Sequence, residues 1–351
     1  MIKHYGIISD THHHQWSAFS TALYNGVNSR LQATLDETAR CAAEVLEAGG
    51  DTIIHGGDLF HVRGSIAPSV LNPTMDLYRD LIDNKDMKIV ILAGNHDLEG
   101  KDAARVSSAI TALEGVGCQI VSDAGKPLFF EGKWLVPWHQ NIAELKAVIE
   151  AIPPEHKSAY DLVIHAPIDE VIVGIPSHGL DAKYLASLGF GRVFSGHYHH
   201  HKQFEGGVYS IGALTHHSWS DVGSKAGFLI VGDDVKWRAS RAPSFVEITA
   251  ETDPDDIALI VDGNYVRAKI NTSKSADVED TRQFLLDSGA KGVIIIVEKD
   301  TTVSKRTDGT VIKSGATLDQ SVNDYINAQK FANPKDLGVL CDSILKEARG
   351  E

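Results

Sequence analysis

Short apolar runs alternate with amphipathic stretches over the first part of the chain. Residues 31–46 keep apolar side chains on one face of a 3.6-residue period, and Gly49 and Gly50 mark the end of this predicted helix. A second helix is predicted over residues 69–82. Apolar runs that predict buried strands cover residues 5–9, 52–54, 88–93, 162–164 and 193–195. Strands that alternate with helices indicate an α/β fold.

A polar block follows each of these apolar runs. The blocks are Asp10-Thr11-His12, Gly57-Asp58-Leu59-Phe60-His61, Gly94-Asn95-His96-Asp97, the single His165, and Gly196-His197-Tyr198-His199. Open α/β sheets place ligand sites beyond the carboxyl ends of their strands, so we expect one sheet edge to bring the blocks together. Carboxylate, imidazole and amide groups are ligands of divalent cations. The spacing therefore predicts a two-metal site.

The pattern changes after residue 243. Asp253 and Pro254 have the pattern of a helix N-cap followed by proline. Residues 264–270 alternate like a half-exposed strand, residues 278–286 predict a helix, and residues 293–297 predict a buried strand. We therefore predict a first domain over residues 1–243, a small α+β domain over 244–300, a linker or hairpin over 301–316, and a helical tail over 317–351.

The tail contains two short amphipathic patterns. Thr317 to Gln320 fits a capping box, and the apolar positions from Leu337 to Leu345 then follow a helical spacing. Two interpretations are equally compatible with this pattern. The helices either fold back on the chain's own core or dock a partner protein.

Composition limits the possible functions. The chain of 351 residues has 33 lysines and arginines against 47 acidic residues, a net charge of −14 that argues against a generally basic nucleic-acid coat. Two divalent cations would reverse the sign of the charge locally, so a nuclease is still possible. Two basic clusters are candidates either for DNA contact or for an ordinary solvated face: Lys236, Arg238 and Arg241, and Lys299, Lys305, Arg306 and Lys313.

Cysteine usage and hydropathy indicate the compartment. The 3 cysteines form no metal-binding spacing and no disulfide framework. We find neither a membrane-spanning run nor a signal peptide, so we expect a cytoplasmic protein of a bacterial or phage-infected host cell, with no membrane partner. A phosphate-binding loop of the Gly-x-x-x-x-Gly-Lys-Ser/Thr type is absent from the sequence, so any ATP dependence would reside in a partner.

The chain contains 17 histidines, and several lie outside the predicted ligand set. We interpret His55 as a core residue of its strand. His216 and His217 could line the cleft, but we assign them no role. The outer members of the two histidine runs are interpreted as exposed loop residues: His13, His14, His200 and His201.

The five blocks, in this order over residues 10–199, resemble the calcineurin-like metallophosphoesterase family. The resemblance implies a two-sheet sandwich flanked by helices, a small capping domain and a helical tail. It also implies the ligands. Metal one would be held by Asp10, His12, Asp58 and His199, and metal two by Asp58, Asn95, His165 and His197. Asp58 would bridge two divalent ions, for which we expect Mn²⁺, with Fe²⁺, Zn²⁺ and Mg²⁺ as alternatives. His96 would face the scissile phosphate as a catalytic residue, and Asp97 could orient its imidazole.

Gly56-Gly57-Asp58-Leu59-Phe60-His61 resembles the SbcD-type DNA-repair exonuclease subunit, in which the corresponding histidine also works at the phosphate. This resemblance implies an exonuclease/endonuclease acting on DNA in repair or recombination, a homodimer, and an SbcC-type coiled-coil ATPase as partner. Two alternatives stay open. One is a stand-alone phosphodiesterase or phosphatase for small phosphoesters, and the other is an assembly scaffold with a vestigial metal site.

Overall fold

The computed structural model describes residues 3–98, 109–271, 274–298, 318–328 and 333–349. The chain divides into two compact units. The first comprises Met1–Ile270 and Lys274–Ile296, and the second comprises Asn271–Ser273 and Val297–Glu351. The predicted linker over residues 301–316, Thr317 of the predicted capping box, and the basic cluster from Lys299 to Lys313 lie outside the described residues.

The strands of the described residues are β1 (Tyr5–Ile8), β2 (Thr52–His55), β3 (Lys88–Leu92), β4 (Gln119–Val121), β5 (Leu128–Phe130), β6 (Lys133–Val136), β7 (Asp161–His165), β8 (Val193–Gly196), β9 (Lys202–Phe204), β10 (Val208–Ser210), β11 (Gly227–Val231), β12 (Val235–Ala239), β13 (Phe245–Ile248), β14 (Tyr265–Ile270) and β15 (Gly292–Val297). The α-helices are α1 (Ser29–Glu47), α2 (Pro68–Asp83), α3 (Ile142–Glu150), α4 (Ala182–Ser187), α5 (Pro254–Val261), α6 (Ser275–Asp287), α7 (Leu318–Ala328) and α8 (Pro334–Arg349). All five strands predicted from apolar runs in the first 200 residues are present.

Two sheets of six strands form the larger part of the first unit in the described residues. The first has the order β12-β11-β1-β2-β3-β4, with parallel pairing from β1 to β4. The second has the order β5-β6-β7-β8-β10-β9. Inward-facing residues of both sheets, among them Ile7, Ile54, Val163 and Phe194, form one core cluster. The predicted α/β sandwich is thus confirmed.

Helices cover the outer faces of the two sheets. Side chains of α1 and α2 pack with Ile8, Ile53 and Ile91 over the first sheet. Leu145 and Ile149 of α3 pack over the second sheet. Because both faces of each sheet are covered, the central strands β1, β2, β7 and β8 are buried at every position. Their continuous apolar runs are the reason why the sequence revealed them.

A third sheet, of order β13-β14-β15, belongs to the same first unit. Asp253 caps α5 by accepting a hydrogen bond from the backbone of Asp255, as the Asp-Pro pattern predicted. The predicted burial of β15 is wrong. Val293 is buried, but Ile294, Ile296 and Val297 are exposed, because β15 is the edge of a three-stranded sheet whose core is small.

The second unit contains α7 and α8, which contact each other. Both predicted tail helices are therefore present. No helix in the described residues is long and apolar enough to cross a membrane. The four-part domain division and the choice between the two interpretations of the tail stay predictions.

Candidate metal centre

Three ligand-type side chains follow parallel strands of the first sheet. Asp10 lies just beyond β1, Asp58 beyond β2 and Asn95 beyond β3. The backbone N–H of Asp10 donates to Gly57 O at 3.0 Å, and that of His12 donates to Asp58 O at 3.1 Å. Asp10, His12 and Asp58 have φ values of +49°, +42° and +57°. Left-handed backbone in such residues is uncommon and is often found at functional sites.

The second sheet supplies the remaining ligand-type residues. His165 ends β7, and His197 follows β8, where His165 and Gly196 are paired in register. The expectation of a single sheet edge is therefore wrong: the cluster lies where the corresponding edges of two sheets meet. A Cβ added to Gly57 would lie 2.2 Å from His165 Nδ1, and one added to Gly94 would lie 2.2 Å from Asp58 Oδ1. Glycine is required at position 57 because the two sheets approach closely there, and at position 94 because the turns after the neighbouring strands β2 and β3 approach closely.

The ligands predicted for metal one come together. The ligand atoms of Asp10, His12 and His199 all lie within 4.8 Å of one another. His12 Nε2 is 3.2 Å from His199 Nε2 and 3.9 Å from Asp58 Oδ2.

The ligands predicted for metal two also converge. Asn95 Oδ1 lies 2.8 Å from His197 Nδ1 and 3.2 Å from His165 Nε2. Asp58 Oδ2 is 3.6 Å from His165 Nε2. Asp58 therefore lies within reach of both groups, as a bridging carboxylate would. The ligand roles themselves stay predictions.

The chemistry of the donor set fits divalent cations. Asp10 and Asp58 are buried side by side, and in the described part of the chain neither has a lysine or arginine partner. Burial, opposed by the charge of His165 and reinforced by the charge of Asp58, raises the pKa of Asp10. Buried carboxylates need a countercharge. Burial opposes the charged form of His165, but the charge and hydrogen bond of Asp58 raise its pKa to about 9, so an ion that binds Nε2 would have to displace a proton. His165 Nδ1 donates to Gly56 O at 2.7 Å, which makes Nε2 the atom that would coordinate the ion.

His61 and His96 form a second layer of imidazoles beside these groups. Their rings are nearly parallel, with centroids 5.7 Å apart, and their ligand-type atoms lie within 4.8 Å of those of His12. His96 Nδ1 donates to the carbonyl oxygen of His61 at 2.8 Å, because a carbonyl can only accept. The two predicted catalytic histidines are thus adjacent.

Asp97 has a different environment from the one predicted. Its carboxylate accepts backbone N–H groups of Asp58 at 2.9 Å, of Gly94 at 2.9 Å and, more weakly, of Leu59 and Phe60. The expectation that Asp97 orients the imidazole of His96 is wrong, because that ring is held by His61. Asp97 instead ties the turn after β2 to the turn after β3, and so fixes the position of Asp58.

Sequence reasoning assigned no role to two residues of the site, Asp221 and His217, although it expected that His217 could line the cleft. Asp221 is buried, and its Oδ1 accepts from His199 Nδ1 at 2.7 Å, while Oδ2 accepts from the backbone of His217 and Ser218. His217 Nε2 donates to Asp10 O at 2.8 Å, and its ring lies edge-on to that of His12. Asp221 ends a short 3₁₀ turn, Trp219–Asp221, and follows no strand, so the strand-end pattern that indicated the other site residues did not indicate its contact with His199.

The outer histidines are not exposed loop residues. His13 is buried, with Nδ1 3.0 Å from Thr74 Oγ1. His14, His200 and His201 are half-buried, and His201 stacks on Trp237. That interpretation was wrong because the loops in which they lie pack against other elements. His55 is a core residue, as predicted, and Thr11 Oγ1 lies 2.9 Å from its Nε2.

The chain belongs to the calcineurin-like phosphoesterase family, whose sequence profile matches residues 4–201, more than half of its length. It is therefore a phosphoesterase by family, which implies a hydrolase. No curated protein sequence matched the chain.

Among solved structures, the chain is similar to a nuclease MPE from Pseudomonas putida, with 19% identity and a TM-score of 0.28, over 58% of this chain and 65% of that one. The match thus spans less than two thirds of the nuclease chain. It is also similar to a dimetal phosphatase from Danio rerio, with 11% identity and a TM-score of 0.41, over 68% of this chain and 96% of that one.

Proposed function

We propose that the protein is a two-metal phosphodiesterase that hydrolyses DNA, acting as the exonuclease/endonuclease subunit of a repair or recombination complex. The observation that carries the proposal is the pair His61 and His96 placed beside the metal-ligand groups. Family membership supports phosphoester hydrolysis. The motif that ends in His61 resembles SbcD-type nucleases, and this supports DNA as the substrate.

Under this proposal Asp10, His12, Asp58 and His199 would hold one ion, and Asp58, Asn95, His165 and His197 the other. Two ions held in this way supply electrostatic stabilisation of the attacking and leaving oxygens in an in-line displacement. We propose Mn²⁺ as the native metal. Imidazole-rich ligation is compatible with it, and Fe²⁺ or Zn²⁺ are the alternatives that the same donor set also accepts.

The two outer histidines would have different tasks. With Nδ1–H bonded to the carbonyl of His61, His96 presents Nε2 as the atom that can give a proton to the leaving oxygen. Burial, followed by the charges of His14 and His96, lowers the pKa of His61 to about 4. A neutral His61 would therefore donate a hydrogen bond to a phosphate oxygen rather than transfer a proton.

The partners remain part of the proposal. An SbcC-type ATPase and a second copy of the chain would complete the complex, with the helical tail as docking segment. The first basic cluster gives little support to a phosphate track. Arg238 pairs with Glu44 at 2.9 Å, and the cluster borders a cavity of about 960 Å³ that is also lined by Glu47, Asp233 and Asp234.

The test is Mn²⁺-dependent digestion of linear duplex and single-stranded DNA by the full chain. Asp58→Ala and His96→Ala are measured in parallel, with His156→Ala as the matched control, because His156 is exposed and precedes the amino end of β7, whereas His165 lies at the carboxyl end of that strand. Loss of cutting in the first two variants alone supports the proposal. Hydrolysis of a small chromogenic diester without cutting of either DNA contradicts it, and favours the stand-alone phosphoesterase.

A chain that hydrolyses neither DNA nor the diester, and retains no Mn²⁺ when offered an excess, would favour the scaffold alternative. A chain that retains Mn²⁺ but is inactive would be tested again after a pull-down through residues 317–351. Activity restored by a captured ATPase would support the partner part of the proposal.

A further inference from the structure

A small cavity adjoins the metal-two group and is not used by the mechanism above. It has a volume of about 250 Å³ and is lined by Arg63, Asn95, Leu98, Trp138, Gln140 and His197. This volume lies just below the range of about 300–1,000 Å³ that is usual for drug-sized ligands. The cavity therefore suits one ring system with its attached group rather than a long polymer.

The indole of Trp138 forms one wall of this cavity. It follows β6, its backbone N–H donates to Ala93 O at 2.9 Å, and the side chain is half-buried. Its ring stacks on His197, with centroids 5.1 Å apart and planes inclined by 22°. The indole is thus held rigidly beside a predicted metal ligand. Aromatic faces held in this way are the surfaces on which unpaired nucleobases stack.

Arg63 supplies the charge of the cavity. Its Nε is buried and, within the described residues, has no hydrogen-bond partner. A buried guanidinium N–H without a partner is rare, and an anion in the cavity that Arg63 lines would supply a partner that the described residues do not. Guanidinium groups bind phosphate oxygens with paired hydrogen bonds.

The charge around the cavity is unlike that of the chain as a whole. The net charge of the chain is −14, but the described lining contains one arginine and no carboxylate. Through Gln140 the cavity adjoins a second one of about 560 Å³, whose described lining includes Lys146 and His178 and again no carboxylate. Both described linings therefore present basic and polar side chains to a polyanion, and the carboxylate of Asp169 lies behind the second one, where it accepts the backbone N–H of Gly179 at 3.1 Å.

We infer that this cavity binds an unpaired nucleotide next to the scissile phosphate, with its base on Trp138 and its phosphate on Arg63. The inference rests on the proposed function, which it deepens by naming a single-stranded segment as the substrate at the site. A base in the interior of a duplex is covered on both faces by its neighbours, and a terminal base is still paired with the other strand, for which a cavity of about 250 Å³ has no room. Duplex ends would have to fray before they enter.

The test compares kcat/KM for an oligothymidylate and for an oligonucleotide of equal length whose residues are all abasic. Stacking on an aromatic side chain predicts a preference of about 5- to 150-fold for the thymidylate in the wild type. Trp138→Leu should bring this ratio close to one, and Trp138→Phe should keep part of it. Trp134→Leu, which removes a tryptophan from β6 on the same sheet, should leave the ratio as in the wild type.

The arginine is tested by the salt dependence of KM. Arg63→Gln should raise KM for both oligonucleotides and reduce the slope of log affinity against log salt by about 0.7 per lost phosphate contact. Arg79→Gln is the matched control, because Arg79 lies exposed on α2 and pairs with Asp76. It should change neither quantity.

The outcomes separate the inference from the proposed function. A wild type that cleaves both oligonucleotides equally well overturns the inference and leaves the proposed function standing. The same holds if Trp138→Leu lowers both activities in parallel, since the indole would then only hold His197 in place. A wild type that hydrolyses a small diester but neither oligonucleotide overturns both.

Discussion

Asp221 should control metal affinity without touching the metal. His199 Nδ1 lies 2.7 Å from Asp221 Oδ1, and His199 Nε2 points at His12 Nε2, where the first ion would lie. Although burial opposes ionisation, the hydrogen bond and charge of His199 hold the pKa of Asp221 below its usual value. The carboxylate therefore accepts the Nδ1 proton and leaves the Nε2 lone pair for the ion.

Asp221→Asn separates the effect of Asp221 on the His199 tautomer from the backbone hydrogen bonds that Asp221 also accepts. The amide oxygen can still accept the backbone N–H groups of His217 and Ser218, both 2.8 Å from Oδ2 in the native chain. The amide NH₂ then faces His199 and favours the wrong tautomer. Loss of such a partner costs about 10- to 100-fold in metal affinity or activity, or about 1.4–2.7 kcal/mol. Asp221→Ala should in addition lose about 1 kcal/mol of stability for each of the two backbone hydrogen bonds.

The assay is calorimetric titration of the metal-free protein with Mn²⁺, combined with urea unfolding of the same preparations. Asp169→Asn is the control, because Asp169 also accepts loop backbone N–H groups, from His178 and Gly179, but bonds to none of the predicted ligands. Mn²⁺ affinity of Asp221→Asn equal to that of the wild type would refute the reasoning. Loss of Mn²⁺ affinity in Asp221→Ala but not in Asp221→Asn would show that the carboxylate acts only through its two backbone hydrogen bonds.

Three further results are expected. Gly94→Ala should abolish activity and lower the free energy of unfolding by about 1–3 kcal/mol through overpacking, because the new Cβ would meet Asp58 Oδ1 at 2.2 Å. Urea unfolding measures the loss, and Gly115→Ala is the control, because a Cβ at that position meets nothing within 4 Å. Burial lowers the pKa of His13 and of His55 to about 3, whereas both rings have the ordinary pKa of about 6.5 in the unfolded chain. Unfolding therefore takes up protons when the pH is below about 6.5. The unfolding free energy of the metal-free protein should then fall by up to about 1.4 kcal/mol per pH unit for each ring as the pH drops below about 6.5, and urea unfolding with equal midpoints at pH 7 and pH 5 would contradict this. Chelation should lower the Tm measured by scanning calorimetry, and Mn²⁺ should restore the Tm by mass action. Full restoration of the Tm in Asp58→Asn would contradict the bridging role of Asp58.

The sequence predicted most of the residues that end up in the site. Asp10, Asp58 and Asn95 each follow a continuous apolar run directly, and such a run is typical of a strand buried on both faces. The strand's end then determines where the polar residue lies. The N-cap at Asp253 could also be predicted from the sequence, because capping depends on neighbours within one helical turn.

Predictions were wrong where a contact joins distant segments. Asp97 was expected to orient the imidazole of its neighbour His96. Its carboxylate instead accepts the backbone N–H of Asp58, which lies in the turn after β2 and 39 residues away in the sequence. His13 was expected at the surface, but α2 covers it through Thr74. The apolar run of β15 predicted burial, although the small third sheet offers too little core to cover it.

The sequence by itself thus determined the alternation of strands and helices, the family, and the set of side chains that can hold two cations, because these depend on local periodicity and on residues placed at strand ends. The tertiary structure decided that two sheets rather than one form the site, that Asp221 and His217 support its ligands, and that Trp138 and Arg63 line a cavity beside it. Those features depend on how separate strands and loops pack against each other. Side chains brought together in this way share no pattern along the chain.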